Sequence, residues 1–198
     1  MPRQSRNIVT GRAHHVTNRG NDRRCLFFED SDYDEFLRLM RMGKQRYNVK
    51  VFGVTLMPNH FHGEIQPEED GALSGYLHWV LGSKASDFRN RTNTVGHGHV
   101  FQGRFWSGPI NDSSHFLRVL RYIEGNPRHA GLVGRAEDWP WSSIRLRENK
   151  DPLLDPLPLP LPDRWLDLVN QPQSNKELKK LRRAGVRGRP WREDGANA

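Results

Sequence analysis

Val51-Phe52-Gly53-Val54-Thr55-Leu56-Met57-Pro58-Asn59-His60-Phe61-His62-Gly63-Glu64-Ile65 decides how this chain folds. Residues 51–56 are mostly β-branched, aromatic or aliphatic and carry no charge, which is the composition of a strand. Pro58 and Asn59 interrupt the run, and a second short strand resumes after them. Side chains alternate along a strand, so His60 and His62 project from one face with α-carbons about 7 Å apart. One cation can take both imidazoles. Phe61 points the other way, into a core.

Towards the N-terminus, residues 8–19 read as a first strand, closed by a turn at Gly20-Asn21-Asp22. His14 and His15 are adjacent in it. They face opposite ways and cannot both serve one metal, so they read as structural or DNA-facing. Residues 31–47 form a helix, with Tyr33, Phe36, Leu37 and Met40 at i, i+3, i+4 and i+7. Asp30, Ser31 or Asp32 can cap its start, and Asn48 suits its exit.

Beyond the histidines, residues 67–71 are a loop and residues 72–91 a second amphipathic helix. Lys84, Arg89 and Arg91 lie toward its C-terminal end, where cations complement the helix dipole and can also reach phosphates. Residues 92–100 form a Gly- and Asn-containing loop. Its His97-x-His99 pair is flanked by glycines, so nothing fixes the two rings together. Val100 to Ile110 reads as another strand, in which Phe105 and Trp106 stand beside Arg104, a pairing that stacks bases and grips phosphates. Residues 112–125 make a third helix, capped by Asp112, Ser113 or Ser114, with Phe116, Val119, Leu120 and Ile123 as its apolar stripe. Tyr122 flanks the stripe and is an i, i+4 neighbour of Asn126. Pro127 disfavours helical geometry at Asn126, so the helix is expected to end there.

Residues 151–162 alternate proline and leucine and read as an extended linker. Residues 175–192 carry Lys176, Lys179, Lys180, Arg182, Arg183, Arg187, Arg189 and Arg192 against Glu177. With a formal net charge of +8 over 198 residues, this segment reads as a polyanion-binding arm. The chain therefore divides into residues 1–147, one domain, and 148–198, a Pro-rich linker and basic arm. Cys25 is the only cysteine, which excludes an internal disulfide and a thiolate zinc cluster. No apolar run reaches the ~20 residues of a membrane span, and the N-terminus lacks the apolar core of a secretion signal. A cytoplasmic, nucleoid-associated protein is the expectation.

His60-Phe61-His62, followed by Arg121-Tyr122-Ile123-Glu124-Gly125-Asn126-Pro127-Arg128-His129-Ala130-Gly131-Leu132-Val133, resembles the single-tyrosine HUH transposases, and within them the REP-associated tyrosine transposases. Leu56-Met57-Pro58-Asn59, Phe101-Gln102-Gly103-Arg104-Phe105 and Trp139-Pro140-Trp141-Ser142-Ser143 agree in order and spacing, so the likeness covers roughly residues 8–145. Gly63-Glu64, where the family often continues with aliphatics, and His129, where arginine is more usual, depart from it. The resemblance implies an α+β, ferredoxin-like (RRM-like) antiparallel sheet with helices packed on one face. It implies Tyr122 as nucleophile, and His60, His62 and Asn126 as ligands of a divalent ion, Mg or Mn. It implies single-stranded DNA with hairpin structure as partner, cut and rejoined through a 5′-phosphotyrosine, by a monomer or a homodimer. Candidate DNA contacts are Arg12, Asn18, Arg19, Lys84, Arg104, Phe105, Trp106, Arg118, Arg182, Arg183, Arg187 and Arg189. Two other classes stay open: a nucleic-acid-binding regulator that cuts nothing, and a metal phosphodiesterase that uses water.

Overall fold

The structure is a computed structural model and describes residues 7–96 and 98–173. Four strands build one antiparallel sheet: β1 (His14–Arg19), β2 (Val49–Met57), β3 (His60–Pro67) and β4 (Trp106–Pro109), in the order β2-β3-β1-β4. Around it lie α1 (Asp30–Lys44), α2 (Ala72–Arg91), α3 (Ser113–His129), α4 (Ser143–Glu148) and α5 (Trp165–Asn170). The Pro58-Asn59 turn joins β2 to β3, and neighbouring backbone holds it. The Pro58 carbonyl accepts from the Leu26 amide at 2.7 Å, and the Asn59 carbonyl from the Gly20 amide at 2.8 Å. The start of β3, where the histidines stand, is thereby fixed from two sides.

Alternation sends the strand side chains into two separate cores. Val16, Val54, Leu56, Phe61 and Ile65 pack with Phe36, Leu37 and Met40 of α1 and Leu73, Tyr76 and Leu77 of α2. On the opposite face Phe52 packs with Phe116, Val119, Leu120 and Ile123 of α3. A bulge between Val51 and Gly53 turns Phe52 to that side. The α+β class and the antiparallel sheet are as the sequence leads one to expect. The difference is that helices cover both faces, α1 and α2 on one and α3 on the other. His60 and His62 alternate with Phe61 and so face α3.

Several boundaries also differ. The first strand begins at His14, because the chain turns before it: Gly11 has φ +72° and the Arg12 amide donates back to the Val9 carbonyl. Val100–Ile110 is not one strand. Gly20 and Phe101 share a bridge, Gly103 then adopts φ +153°, and regular pairing resumes only at Trp106. α1 starts from Glu29, whose carboxylate exchanges capping bonds with Asp32, and ends at Lys44. α3 is capped by Asp112, whose carboxylate accepts from the His115 amide at 2.7 Å. It does not stop at Asn126 but runs through Pro127 to His129. Proline forfeits the helical bond to the Ile123 carbonyl. Burial of Pro127 and later bonds, from the Ala130 amide to Asn126 and the Leu132 amide to Pro127, outweigh that loss.

The Pro-Leu stretch is extended, as its prolines require, but it lies along the domain and does not run free. Leu153 is fully buried, and Leu157, Leu159 and Leu161 pack against the second core on the way to Trp165 and Val169 of α5. Asp151 takes a two-pronged pair from Arg41, and Asp155 pairs with Lys44 at 2.6 Å. This stretch and the segment just before α4 together cover the outer margin of β2. Val51 and Asp155 exchange bonds at 2.8 Å, and the Leu56 amide donates to the Trp141 carbonyl at 3.0 Å. The basic arm, with Arg182, Arg183, Arg187 and Arg189, lies outside the described residues. Among the described residues no helix is long and apolar enough to cross a membrane.

Candidate active site

β3 delivers His60 and His62 to the face that α3 covers, with ring centroids 5.0 Å apart and planes nearly perpendicular. Half-buried Tyr122 of α3 meets them there. Its ring lies 5.3 Å from that of His62, edge-on. Asn126, one helical turn later, donates its amide N–H to the Tyr122 carbonyl at 2.8 Å, which leaves the amide oxygen as its acceptor.

β1 runs beside β3, with Arg19 opposite His60, Thr17 opposite His62 and His15 opposite Glu64. Buried His15 enters the cluster: its Nε2 stands 3.0 Å from His62 Nδ1, and its ring lies 5.8 Å from Tyr122 and 5.3 Å from Trp106 of β4. Sequence reasoning missed it. The signal was the parity of His15, Thr17 and Arg19, which is readable only once β1 is known to pair with β3.

Burial depresses the basicity of the imidazoles. It pulls His15 down to about 3, with His115 adding to the effect, and His60 to about 4, helped by Arg19. Burial, then His15, His60 and Arg19, hold His62 well below the ordinary range. The rings are therefore neutral at neutral pH, with lone pairs to offer. His60 Nδ1 donates to Asn59 Oδ1 at 2.7 Å, which leaves its Nε2 as donor atom to a cation. Two imidazole nitrogens and an amide oxygen are donors of a kind that Mg or Mn could take while keeping open positions. Among the described residues no three His, Cys, Asp or Glu side chains form a metal cage. Arg19 is half-buried; burial and Arg23 lower its basicity while the Tyr122 phenol raises it, so guanidinium and phenol sense each other.

Next along this face is Glu64, fully buried with both carboxyl oxygens unpartnered among the described residues. Burial, then nearby Glu124, push its pKa well up and favour its neutral form, with Arg147 acting the other way.

The other candidates scatter. Lys84 is not a DNA contact: it is fully buried and pairs with Asp32 at 3.0 Å and Asp87 at 3.6 Å, locking α2 to the start of α1. Arg91 pairs with the same Asp32. Asn18 faces away from the site and spends its amide on the Gly103 carbonyl and the Arg19 amide. Phe105 is core, at 6% exposure, and does not present a stacking face. Arg12 and Arg104 are exposed, Trp106 is half-buried beside His15, and Arg118 donates to Ser114 at 2.6 Å. His115, a candidate base for the phenol, accepts from the Asn111 amide at 3.2 Å. It stands seven residues before Tyr122 on the same side of the helix and acts electrostatically on His15, which lies against the Tyr122 ring. His99 is exposed on its loop and His97 lies outside the described residues.

Comparison with known proteins gives two kinds of match. The family model of IS200-like transposases matches residues 9–126. Among solved structures, a REP-associated tyrosine transposase bound to a REP hairpin superposes with a TM-score of 0.62 at 22% identity, over 78% of this chain and 89% of that one. A presumed transposase from Deinococcus radiodurans matches with a TM-score of 0.42 at 14% identity, over 62% of this chain and 96% of that one. No protein of curated function matches the chain in sequence.

Proposed function

Because this chain belongs to the IS200-like transposase family, we propose that it nicks and rejoins single-stranded DNA at hairpin, REP-like sequences through a covalent link to Tyr122. The observation that carries the reading is the edge-on approach of the Tyr122 ring to His62, at 5.3 Å. It sets a phenol beside paired neutral imidazoles on one face of a sheet. The Tyr122 oxygen attacks phosphorus, the new O–P bond forms and the bond from phosphorus to the 3′ oxygen breaks. The 3′ oxygen leaves as a hydroxyl with a proton, and the 5′ phosphate stays on the tyrosine. One ester replaces another, so the 3′-OH of a second end can reverse the step and transfer the strand.

His60, His62 and the amide oxygen of Asn126 would hold a divalent ion, Mg or Mn, which when bound polarises the scissile phosphate and offsets its developing charge. Arg19 faces both His60 and the phenol and favours the phenolate form. Trp106, beside His15, suits an unstacked base, and exposed Arg104, two residues before it, suits a phosphate. Residues 1–147 form the catalytic domain in this reading, braced by the Pro-Leu strap, and the basic arm after residue 173 grips hairpin phosphates.

The test is incubation of the full chain with a single-stranded hairpin oligonucleotide and Mn, followed by a denaturing gel and mass spectrometry of the Tyr122 peptide. The expected result is a nucleotide on Tyr122, lost in Tyr122→Phe while hairpin binding persists. An adduct in Tyr122→Phe would overturn the nucleophile. Cleavage without any adduct would favour hydrolysis by water, and binding without cleavage a regulator.

A further inference from the structure

We propose that His15 is a positioning residue that fixes the tautomer and orientation of His62, so that His62 presents its Nε2 lone pair toward the metal site. The inference rests on the reading of His60, His62 and Asn126 as ligands. Its ground is the buried contact of 3.0 Å between His15 Nε2 and His62 Nδ1. Two imidazole nitrogens at that separation share one proton between them. If His62 Nδ1 carries it, His62 donates and its Nε2 keeps a free pair. If His15 Nε2 carries it, His62 Nδ1 accepts, and the proton of neutral His62 then sits on Nε2, which can no longer ligate. His60 shows the same arrangement with Asn59 in the place of His15. Each histidine of the pair thus has a partner at Nδ1.

The geometry also assigns His15 by elimination. With its Nε2 accepting from His62, the one proton of neutral His15 sits on Nδ1, so neither nitrogen keeps a free pair for a metal or for the Tyr122 proton. Its ring is wedged among His62, Tyr122 and Trp106 at 5.2, 5.8 and 5.3 Å between centroids. It comes from β1, whereas the ligands come from β3 and α3. The site is therefore assembled across three elements, and His15 ties the neighbouring strand to His62.

The experiment compares full-length wild type, His15→Gln and His15→Leu. Glutamine places an acceptor oxygen near the position of Nε2; leucine fills the space without one. Mn affinity is measured by titration followed by electron paramagnetic resonance, with thermal unfolding run on each variant. Nitrogen-15 imidazole spectra of the metal-free proteins report the His62 tautomer. The expected results are an Nδ1–H His62 in wild type and His15→Gln, mixed tautomers in His15→Leu, and Mn affinity in His15→Leu reduced by about 10-fold or more with His15→Gln close to wild type. Equal affinity in all three, equal loss in both variants, or an Nε2–H His62 in wild type would overturn the proposal. If wild type itself binds no Mn, the ligand assignment fails, and the His62 tautomer still decides separately whether His15 acts as stated.

Discussion

Glu64 and the buried imidazoles set opposing pH slopes on the same sheet face. His15, His60 and His62 have pKa values below the 6.5 of an unfolded chain, so acid favours unfolding. The stability they confer is whole above pH 6.5 and drains as pH falls toward about 4 for His60 and about 3 for His15, each by up to about 1.4 kcal/mol per pH unit. His14, His115 and His129 add the same sign. Glu64 has a raised pKa, so its contribution is whole below 4.5 and drains as pH rises toward its value in the fold. Urea unfolding is expected to show stability lost steeply as pH falls below 6.5, opposed above pH 4.5 by the single slope of Glu64. Glu64→Leu should gain about 1–3 kcal/mol by removing an unpartnered buried acid, and should abolish the opposing slope above pH 4.5, so that stability rises more steeply between pH 4.5 and 6.5. A Glu64→Leu profile parallel to wild type would refute this. At this scale the sequence yielded His60 and His62 because strand parity is local. It hid His15 because whether β1 lies beside β3 is a tertiary fact.

α3 presents Tyr122 to the imidazoles and a different set of residues to the rest of the molecule. Fully buried Glu124 accepts from Ser143 at 2.7 Å, from Arg147 at 3.0 Å and from Trp165 at 2.6 Å, so one carboxylate binds α3 to both α4 and α5. Arg121 donates to the carbonyls of Leu168 and Gln171. Glu124→Ala strands Arg147 and Trp165 and is expected to cost about 3–5 kcal/mol, read from urea unfolding, and to slow adduct formation by loosening the helix. A loss below about 1 kcal/mol would mean that Glu124 does not organise these helices. Gly43 of α1 is a second constraint. A Cβ there would stand 2.9 Å from the Tyr76 ring and 3.0 Å from Val80, so Gly43→Ala should cost about 1–3 kcal/mol by prising α1 from α2. The span 72–91 was legible in full from its period and flanking loops. The end of α3 was not, because the preference of the residue before proline is weaker than the packing that carries the helix on to His129.

Residues 151–170 complete the second core. Deleting everything after residue 150 uncovers the site of Trp165 and Val169 and removes Leu153, buried groups worth about 1.5–3 kcal/mol each. That truncation should unfold at a markedly lower temperature than one ending at residue 173. The shorter deletion should keep the fold but bind hairpin DNA with a reduced dependence on salt, since each lost phosphate contact lowers the slope by about one. An unchanged slope would remove the arm from the interface. Composition made the charge of the arm plain. It could not show that the prolines before it lie against the domain, because proline fixes backbone angles and says nothing of what the intervening leucines touch. The covered margin of β2 has a consequence for crowded conditions. The amides and carbonyls that Trp141 and Asp155 engage are closed to an arriving extended polypeptide, while β4 offers four residues ending in Pro109. The sheet is thus a poor template for edge-to-edge stacking into aggregates, and a substitution that frees the strap would expose that liability before it touched catalysis.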